Sequence, residues 1–199
     1  MNVDILTDNY HIRSLEPSDK DNYMQVYVAN SKYKMAYEES SHLVERTWEE
    51  ALKDDDEIRM MVFLLEEFGE VFVGTCSAGD NGNRIEIGYD VLEEYRNHGI
   101  ATEVARTMIE FSHQHYPLKD VVIRTRAENK ASQRVAEKCG GVLYAKEPSP
   151  EAKFTMSMLE KYGHGEQDSA GDRLTTEMIE QMEEIVEAGR EAVLVYRMP

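Results

Sequence analysis

Arg84-Ile85-Glu86-Ile87-Gly88-Tyr89-Asp90-Val91 is followed, four residues on, by Arg96-Asn97-His98-Gly99-Ile100-Ala101, and these two runs decide the fold. The first alternates strictly. Ile85, Ile87, Tyr89 and Val91 fall on one face and Arg84, Glu86, Gly88 and Asp90 on the other, the pattern of a half-buried strand. From Gly99 onward Ala101, Val104, Ala105, Met108 and Ile109 recur at helical spacing, and Pro117 closes the segment after His113-Gln114-His115. The first turn of that helix carries backbone N–H groups without intrahelical acceptors and a partial positive charge, which suits an anion. Gly99 lets a phosphate approach the backbone, Ala101 keeps the next turn open, and Arg96 can add a charged fork. Taken alone, Gly99 would equally serve a tight strand-to-helix turn.

Working outward, Asp120 to Arg126 reads as a β-branched strand, Asn129 caps a helix running through Ala131, Val135, Ala136 and Cys139, Gly140 ends it, and Gly141-Val142-Leu143-Tyr144 is extended again. The ordered set over 84–144 resembles the GNAT superfamily of N-acetyltransferases, whose acyl-coenzyme A site uses an Arg/Gln-x-x-Gly-x-Gly/Ala loop. Ile87-Gly88-Tyr89 and the run Asn129 to Lys138 look most like the branch that acetylates ribosomal-protein N-termini, and spermidine acetyltransferases share much of that look. The similarity extends over 10–80 and 192–198 and is absent over roughly 145–190.

The resemblance implies an α/β (α+β) fold: a mixed, mostly antiparallel central sheet flanked by helices, with a helical insertion at about 145–190 between the last two strands, all within one domain spanning 1–199. It implies acetyl-coenzyme A as co-substrate and a primary amine as acceptor, whether a protein N-terminus, a polyamine or another small amine. The implied cofactor contacts are Tyr89 and Val91 on the strand edge; Arg96, Asn97, His98, Gly99, Ile100, Ala101 and Thr102 at the loop and helix start; and Asn129 and Ser132 beyond. An edge freed by splaying would pair with the pantetheine arm through the main chain, and Gly88 is a candidate for the bulge that creates it.

Amide formation from a thioester needs a neutral amine, an acceptor for its proton and stabilisation of developing charge. Glu86 stands where the superfamily often places the proton-accepting carboxylate, and is otherwise an ordinary polar residue of an alternating strand. Ser132 matches a serine near the cofactor sulfur, whose hydroxyl could donate to the leaving thiolate; a first-turn serine satisfied by the backbone is the plainer reading. The acid tyrosine of many GNAT enzymes is replaced by Ala136, so a non-catalytic acyl-coenzyme A sensor is the alternative. A doubly wound nucleotide binder is disfavoured by the absence of Gly-x-Gly-x-x-Gly.

The remaining chain sets the bounds. With 199 residues, 41% of them hydrophobic, one domain with a sizeable core is expected. A net charge of −17 argues against a nucleic-acid surface and accommodates cationic partners. Cys76 and Cys139 lack metal spacing, no metal site is expected at Asp54-Asp55-Asp56-Glu57, and no membrane span or signal segment is read, which predicts a cytoplasmic protein.

Strands are expected at 12–15, 60–65 and 71–78. Helices are expected from Pro17, with Tyr23, Met24, Tyr27 and Val28 inward, and near 47–52. The aromatic stretch 32–40 shows no sustained period. After Tyr144, Pro150 opens a helix with Phe154, Met158, Leu159 and Tyr162 on its apolar side. A mobile Gly163–Asp172 link follows, then a helix marked by Leu174, Met178, Met182, Ile185 and Val186, and a last strand at 192–197. From Glu160 to Glu191 ten acidic residues face three basic ones, so this insertion reads as a lid that attracts cationic amines or, alternatively, as a solubilising excursion or homodimer contact.

Overall fold

The computed structural model describes residues 1–31, 34–53, 56–162 and 175–199. Eight strands, β1 (Asp4–Leu6), β2 (Tyr10–Ser14), β3 (Glu57–Glu66), β4 (Gly69–Asp80), β5 (Arg84–Val91), β6 (Asp120–Arg126), β7 (Val142–Glu147) and β8 (Val193–Arg197), form one sheet in the order β1-β2-β3-β4-β5-β6-β8-β7. Every neighbouring pair is antiparallel except β5 and β6. The helices are α1 (Lys20–Asn30), α2 (Lys34–Glu39), α3 (Ser41–Ala51), α4 (Ile100–His115), α5 (Lys130–Lys138), α6 (Pro150–Tyr162) and α7 (Thr176–Gly189).

The period-2 pattern of β5 sorts the helices into two layers. Ile85 and Ile87 join Ile12, Met60, Val62, Val121 and Ile123 in the larger core, where α4 contributes Val104, Ala105 and Met108 and α5 contributes Ala136. Each of the Ile, Val and Met side chains among them stabilises the fold by roughly 1.5–3 kcal/mol. On the opposite face Tyr23, Met24, Trp48 and Ala51 of α1 and α3 close over Met61, and this is the face that carries Glu86, Gly88 and Asp90. β5 thus separates two chemically different sides.

The parallel pairing of β5 with β6 is short: Arg84 faces Asp120, Ile85 Val121 and Glu86 Val122. Beyond Glu86 the strands part. β6 continues against β8, while Ile87 to Val91 stay paired with β4 in unbroken register. The expected bulge at Gly88 is therefore absent; Gly88 sits opposite Ser77, whose hydroxyl oxygen would lie 2.6 Å from a Cβ there. The splay opens where β6 leaves β5 while keeping β8 on its other edge, and the glycine makes room for Ser77.

Other departures have local causes. Val26, not Tyr27, is buried in α1; Tyr27 stands at the rim between Tyr23 and Tyr37, with ring centroids 6.0 and 5.6 Å away. α3 starts earlier than its apolar residues suggest, because the Ser40 hydroxyl caps it by accepting from the Leu43 N–H at 3.2 Å. The stretch 34–39 is a short helix, and β1 is too brief to show a period. In α6 the inner line is Ala152 and Thr155 while Phe154 is exposed, and in α7 Val186 is buried while Met178 and Ile185 face outward. Small residues bring the two helices together: a Cβ on Gly189 would come within 2.7 Å of Ala152. The Gly163–Asp172 link, Leu174, Asp54-Asp55 and the Lys32-Tyr33 part of the aromatic stretch lie outside the described residues. Among the described residues no helix is long and apolar enough to cross a membrane.

Candidate active site

The turn from β5 to α4 is left-handed twice, at Asn97 (φ 67°) and Gly99 (φ 88°). Asn tolerates this backbone and Gly prefers it, and a turn of this kind aims successive N–H groups into one concavity that suits anions. The Gly99 carbonyl accepts from Thr102 and Glu103, at 2.9 and 3.2 Å, which starts the helix. Among the described residues the Ile100 and Ala101 amides find no backbone acceptor. Apart from its own chain neighbours, a Cβ on Gly99 would meet no protein atom within 4 Å, so the space beside this turn is open.

The structure brings the sequence-derived residues together in part through backbone and in part through side chains. The Ile100 and Thr102 side chains are buried, so Ile100 can meet an anion only through its amide, while Thr102 is turned away from it: its N–H donates to the Gly99 carbonyl at 2.9 Å and its carbonyl accepts from Cys139 Sγ at 3.6 Å. Asn97 and His98 are exposed on the loop. Arg96 folds back: its Nε donates to the Val91 carbonyl at 3.1 Å and its Nη2 to Asn30 Oδ1 at 3.2 Å, which pins the loop to both β5 and α1. The Val91 carbonyl is thus already engaged within the protein.

Across the splay, Asn129 Oδ1 accepts from the Ser132 N–H at 3.1 Å and caps α5, leaving the amide NH2 directed outward from an exposed residue. Gln133, which the sequence did not single out, fixes the same corner by donating from Nε2 to the Arg126 and Ala127 carbonyls at 3.3 and 2.7 Å. Ser132 is met by a residue from the other wall: Tyr89 Oη lies 2.9 Å from Ser132 Oγ. Burial, foremost, pushes the Tyr89 hydroxyl pKa up to about 12. Ala136 is fully buried in the core.

On the opposite face Glu86 is held by Arg124 at 3.2 Å, with Asn81 at 3.4 Å. Arg124 also binds Glu147 at 2.9 Å, and Glu147 binds Arg84 at 2.8 Å and Lys153 of α6 at 3.4 Å. Burial raises the Glu147 carboxyl, but these cations, led by Arg84, outweigh it and hold its pKa down. Asp90 is the residue sequence reasoning passed over. It is solvent-accessible, yet the walls around it raise its pKa against the pull of Arg96; its place on the Glu86 face was legible from the alternation. Among the described residues no set of three or more His, Cys, Asp or Glu side chains is arranged for a metal.

A strand edge released from its parallel neighbour ends at a helix start with exposed amides, an arrangement that suits an extended ligand carrying phosphate. The chain belongs to the GNAT family: the acetyltransferase (GNAT) domain profile matches residues 10–142. It is an N-acetyltransferase that uses acetyl-coenzyme A as co-substrate. Similar solved structures include a GNAT-family acetyltransferase from Bacillus anthracis (19% identity, TM-score 0.63, 98% of each chain covered). Another is a spermidine N-acetyltransferase from Vibrio cholerae in complex with CoA and spermine (16%, 0.57, covering 96% of this chain and 95% of that one). A third is a candidate ribosomal-protein-serine acetyltransferase from Vibrio cholerae (16%, 0.59, 99% and 98%). No curated protein matches the chain in sequence.

The residues fit coenzyme A. Gly99, Ile100 and Ala101 would offer main-chain donors to its phosphates, the edge from Ile87, unpaired with β6, would offer main-chain groups to its arm, and Ser132 stands across from that edge, within 2.9 Å of Tyr89.

Proposed function

We propose that the chain transfers the acetyl group to a primary amine, a protein N-terminus, a polyamine or another small amine, by direct attack of the amine in its neutral form, without a covalent enzyme intermediate. The observation that carries this reading is the division of roles across β5: hydroxyl donors and the anion site on the α4–α5 face, carboxylates and tyrosines on the α1–α3 face. Acetyl-coenzyme A supplies an activated acyl carbon when bound. The chain supplies position, charge and a path for the proton.

Phosphate held at Gly99–Ala101 sets the direction of the arm along β5, from Val91 toward the point where β6 departs. Asp90 lies four strand positions beyond Glu86, about 13 Å; Glu86 is the last β5 residue paired with β6, at the apex of the splay, and Asp90 lies toward its mouth. Glu86 takes the amine proton, through water, since its own oxygen is engaged by Arg124. Asp90 meets the ammonium on entry, and the Tyr23, Tyr27 and Tyr37 rings wall the same face; aromatic faces attract cations. Ser132 donates to the sulfur as it departs. The CoA and spermine of the Vibrio cholerae relative support the same acceptor class.

The test is release of free thiol from acetyl-coenzyme A over a panel of polyamines, N-terminal peptides, amino acids and aminoglycosides. Release with cationic amines is expected. Coenzyme A binding without release on any amine would refute the reading.

A further inference from the structure

Tyr89 and Ser132 sit on the two walls that the splay separates, 43 residues apart in sequence. The Tyr89 ring packs against the larger core beside Ile85 and Ile87, and its hydroxyl crosses to the first turn of α5. There Oη lies 2.9 Å from Ser132 Oγ and 3.3 Å from the Ser132 carbonyl oxygen.

Each hydroxyl has one proton, and that limits the pair to two arrangements. In the closed one Ser132 donates to Tyr89 Oη while Tyr89 donates to the carbonyl at 3.3 Å. The serine proton is then used inside the protein. In the open one Tyr89 donates to Ser132 Oγ over the shorter 2.9 Å contact, and the serine proton is turned outward. Negative charge arriving beside Ser132 selects the open arrangement, because only there does the serine present a donor to it.

We propose that Tyr89 is the positioning residue that makes Ser132 a donor to the leaving sulfur, standing in, from strand β5, for an acid that α5 lacks at the buried Ala136. The inference rests on the acetyl-transfer reading above and adds to it the part that stabilises the leaving group. The C–N bond forms as the amine lone pair enters the acyl carbon, the C–S bond breaks with its electron pair on sulfur, and the amine proton leaves by the Glu86 side. Neither hydroxyl is consumed: the Ser132 O–H donates to the sulfur and the Tyr89 O–H to Ser132 Oγ, so the charge is spread over two hydrogen bonds.

The surroundings keep Tyr89 protonated for this role. Burial comes first, Cys139 and Asp90 add to it, and the Ser132 bond opposes it, for a net rise to about 12. The tyrosine remains a donor throughout the neutral range. It has no need to ionise, and it is poorly suited to giving its proton away.

The test uses the full-length protein, coenzyme A as the probe, and Tyr89→Phe, Ser132→Ala and the double variant. Calorimetry reports coenzyme A affinity, and the ultraviolet absorbance of the thiolate reports the pKa of the bound thiol. Wild type should hold that pKa below the ordinary alkyl-thiol value of about 8.5. Tyr89→Phe, which keeps the ring and its packing, should bring it back toward that value and lower kcat about tenfold, ~1.4 kcal/mol of barrier, with the acetyl-coenzyme A KM little changed. Ser132→Ala should do the same, and the double variant should add nothing further, since Tyr89 acts only through Ser132. A Tyr89→Phe protein with a lowered melting temperature but an unmoved thiol pKa, beside a Ser132→Ala protein whose thiol pKa moves, would overturn the inference and leave the Ser132 assignment standing. An unmoved pKa in both variants would remove the Ser132 assignment and the inference with it. Loss of coenzyme A binding by the wild type itself would instead strike the acetyl-transfer reading.

Discussion

Replacing Gly99 by alanine separates two things that the glycine does. Its φ of 88° is left-handed, and a Cβ in that conformation costs about 1–2 kcal/mol of folding free energy. Apart from its own chain neighbours, no protein atom lies within 4 Å of that Cβ, so no clash adds to the strain. In a domain of this size 1 kcal/mol lowers the melting temperature by about 2–4 °C, giving a drop of about 2–8 °C. Gly82, in the turn between β4 and β5, has φ 73° and equally open surroundings, so Gly82→Ala should lose a similar amount. The two variants part on binding. At Gly99 the methyl enters the open space beside this turn, and loss of one charge-assisted amide bond, roughly 1.5–3 kcal/mol, weakens coenzyme A binding by about 10- to 150-fold. At Gly82 the affinity should not change. Differential scanning fluorimetry and calorimetry on both proteins give the four numbers. Wild-type affinity in a folded Gly99→Ala protein would refute the anchoring of the phosphates at this turn.

Glu86→Gln should lower turnover by about 10²–10⁴-fold with coenzyme A affinity little changed; wild-type turnover in this variant would assign proton removal elsewhere. Asp90→Asn should raise the acceptor KM and also raise the melting temperature at neutral pH. The sign follows from the raised Asp90 pKa: the unfolded chain gives up this proton first, so the group's contribution is complete below the unfolded pKa and is lost as pH rises through the folded one. The stability gap between variant and wild type should therefore close as pH falls into the carboxylate range, and a variant less stable than wild type at neutral pH would contradict it. Replacing residues 149–190 by a short Gly-Ser link should raise the acceptor KM and abolish its salt dependence while sparing coenzyme A binding. Unaltered acceptor kinetics in that deletion would reject a lid, and a change confined to oligomeric state would point to a dimer contact.

Much of the architecture was legible because β5, α4, β6 and α5 each carry a clear period and a local punctuation mark: Gly99, Pro117, Asn129 and Gly140. The turn at Gly99 and the start of α4 were legible for the same reason, since a helix start is specified by residues next to one another. What escaped depends on distant partners. Arg96 reads as a free fork, yet its guanidinium is taken up by Val91 and by Asn30, which is 66 residues away. Tyr89 reads as one more apolar-face residue, and only the return of the chain through α5 places Ser132 against its hydroxyl. The inner line of α6 was misread because Ala152 carries little hydrophobic weight, whereas close packing on Gly189 selects for smallness over hydrophobicity.

The edge of β5 from Ile87 onward has consequences for how long the protein lasts. An interior strand with main-chain groups that no strand satisfies is a weak seam, and a ligand that pairs with it closes the sheet from within. Binding that favours the folded chain adds RT ln(1 + [L]/Kd), about 2.7 kcal/mol when the ligand stands at 100 times its Kd. The resistance of this chain to unfolding and proteolysis should then rise with coenzyme A concentration, because the ligand completes an edge that the sheet leaves open.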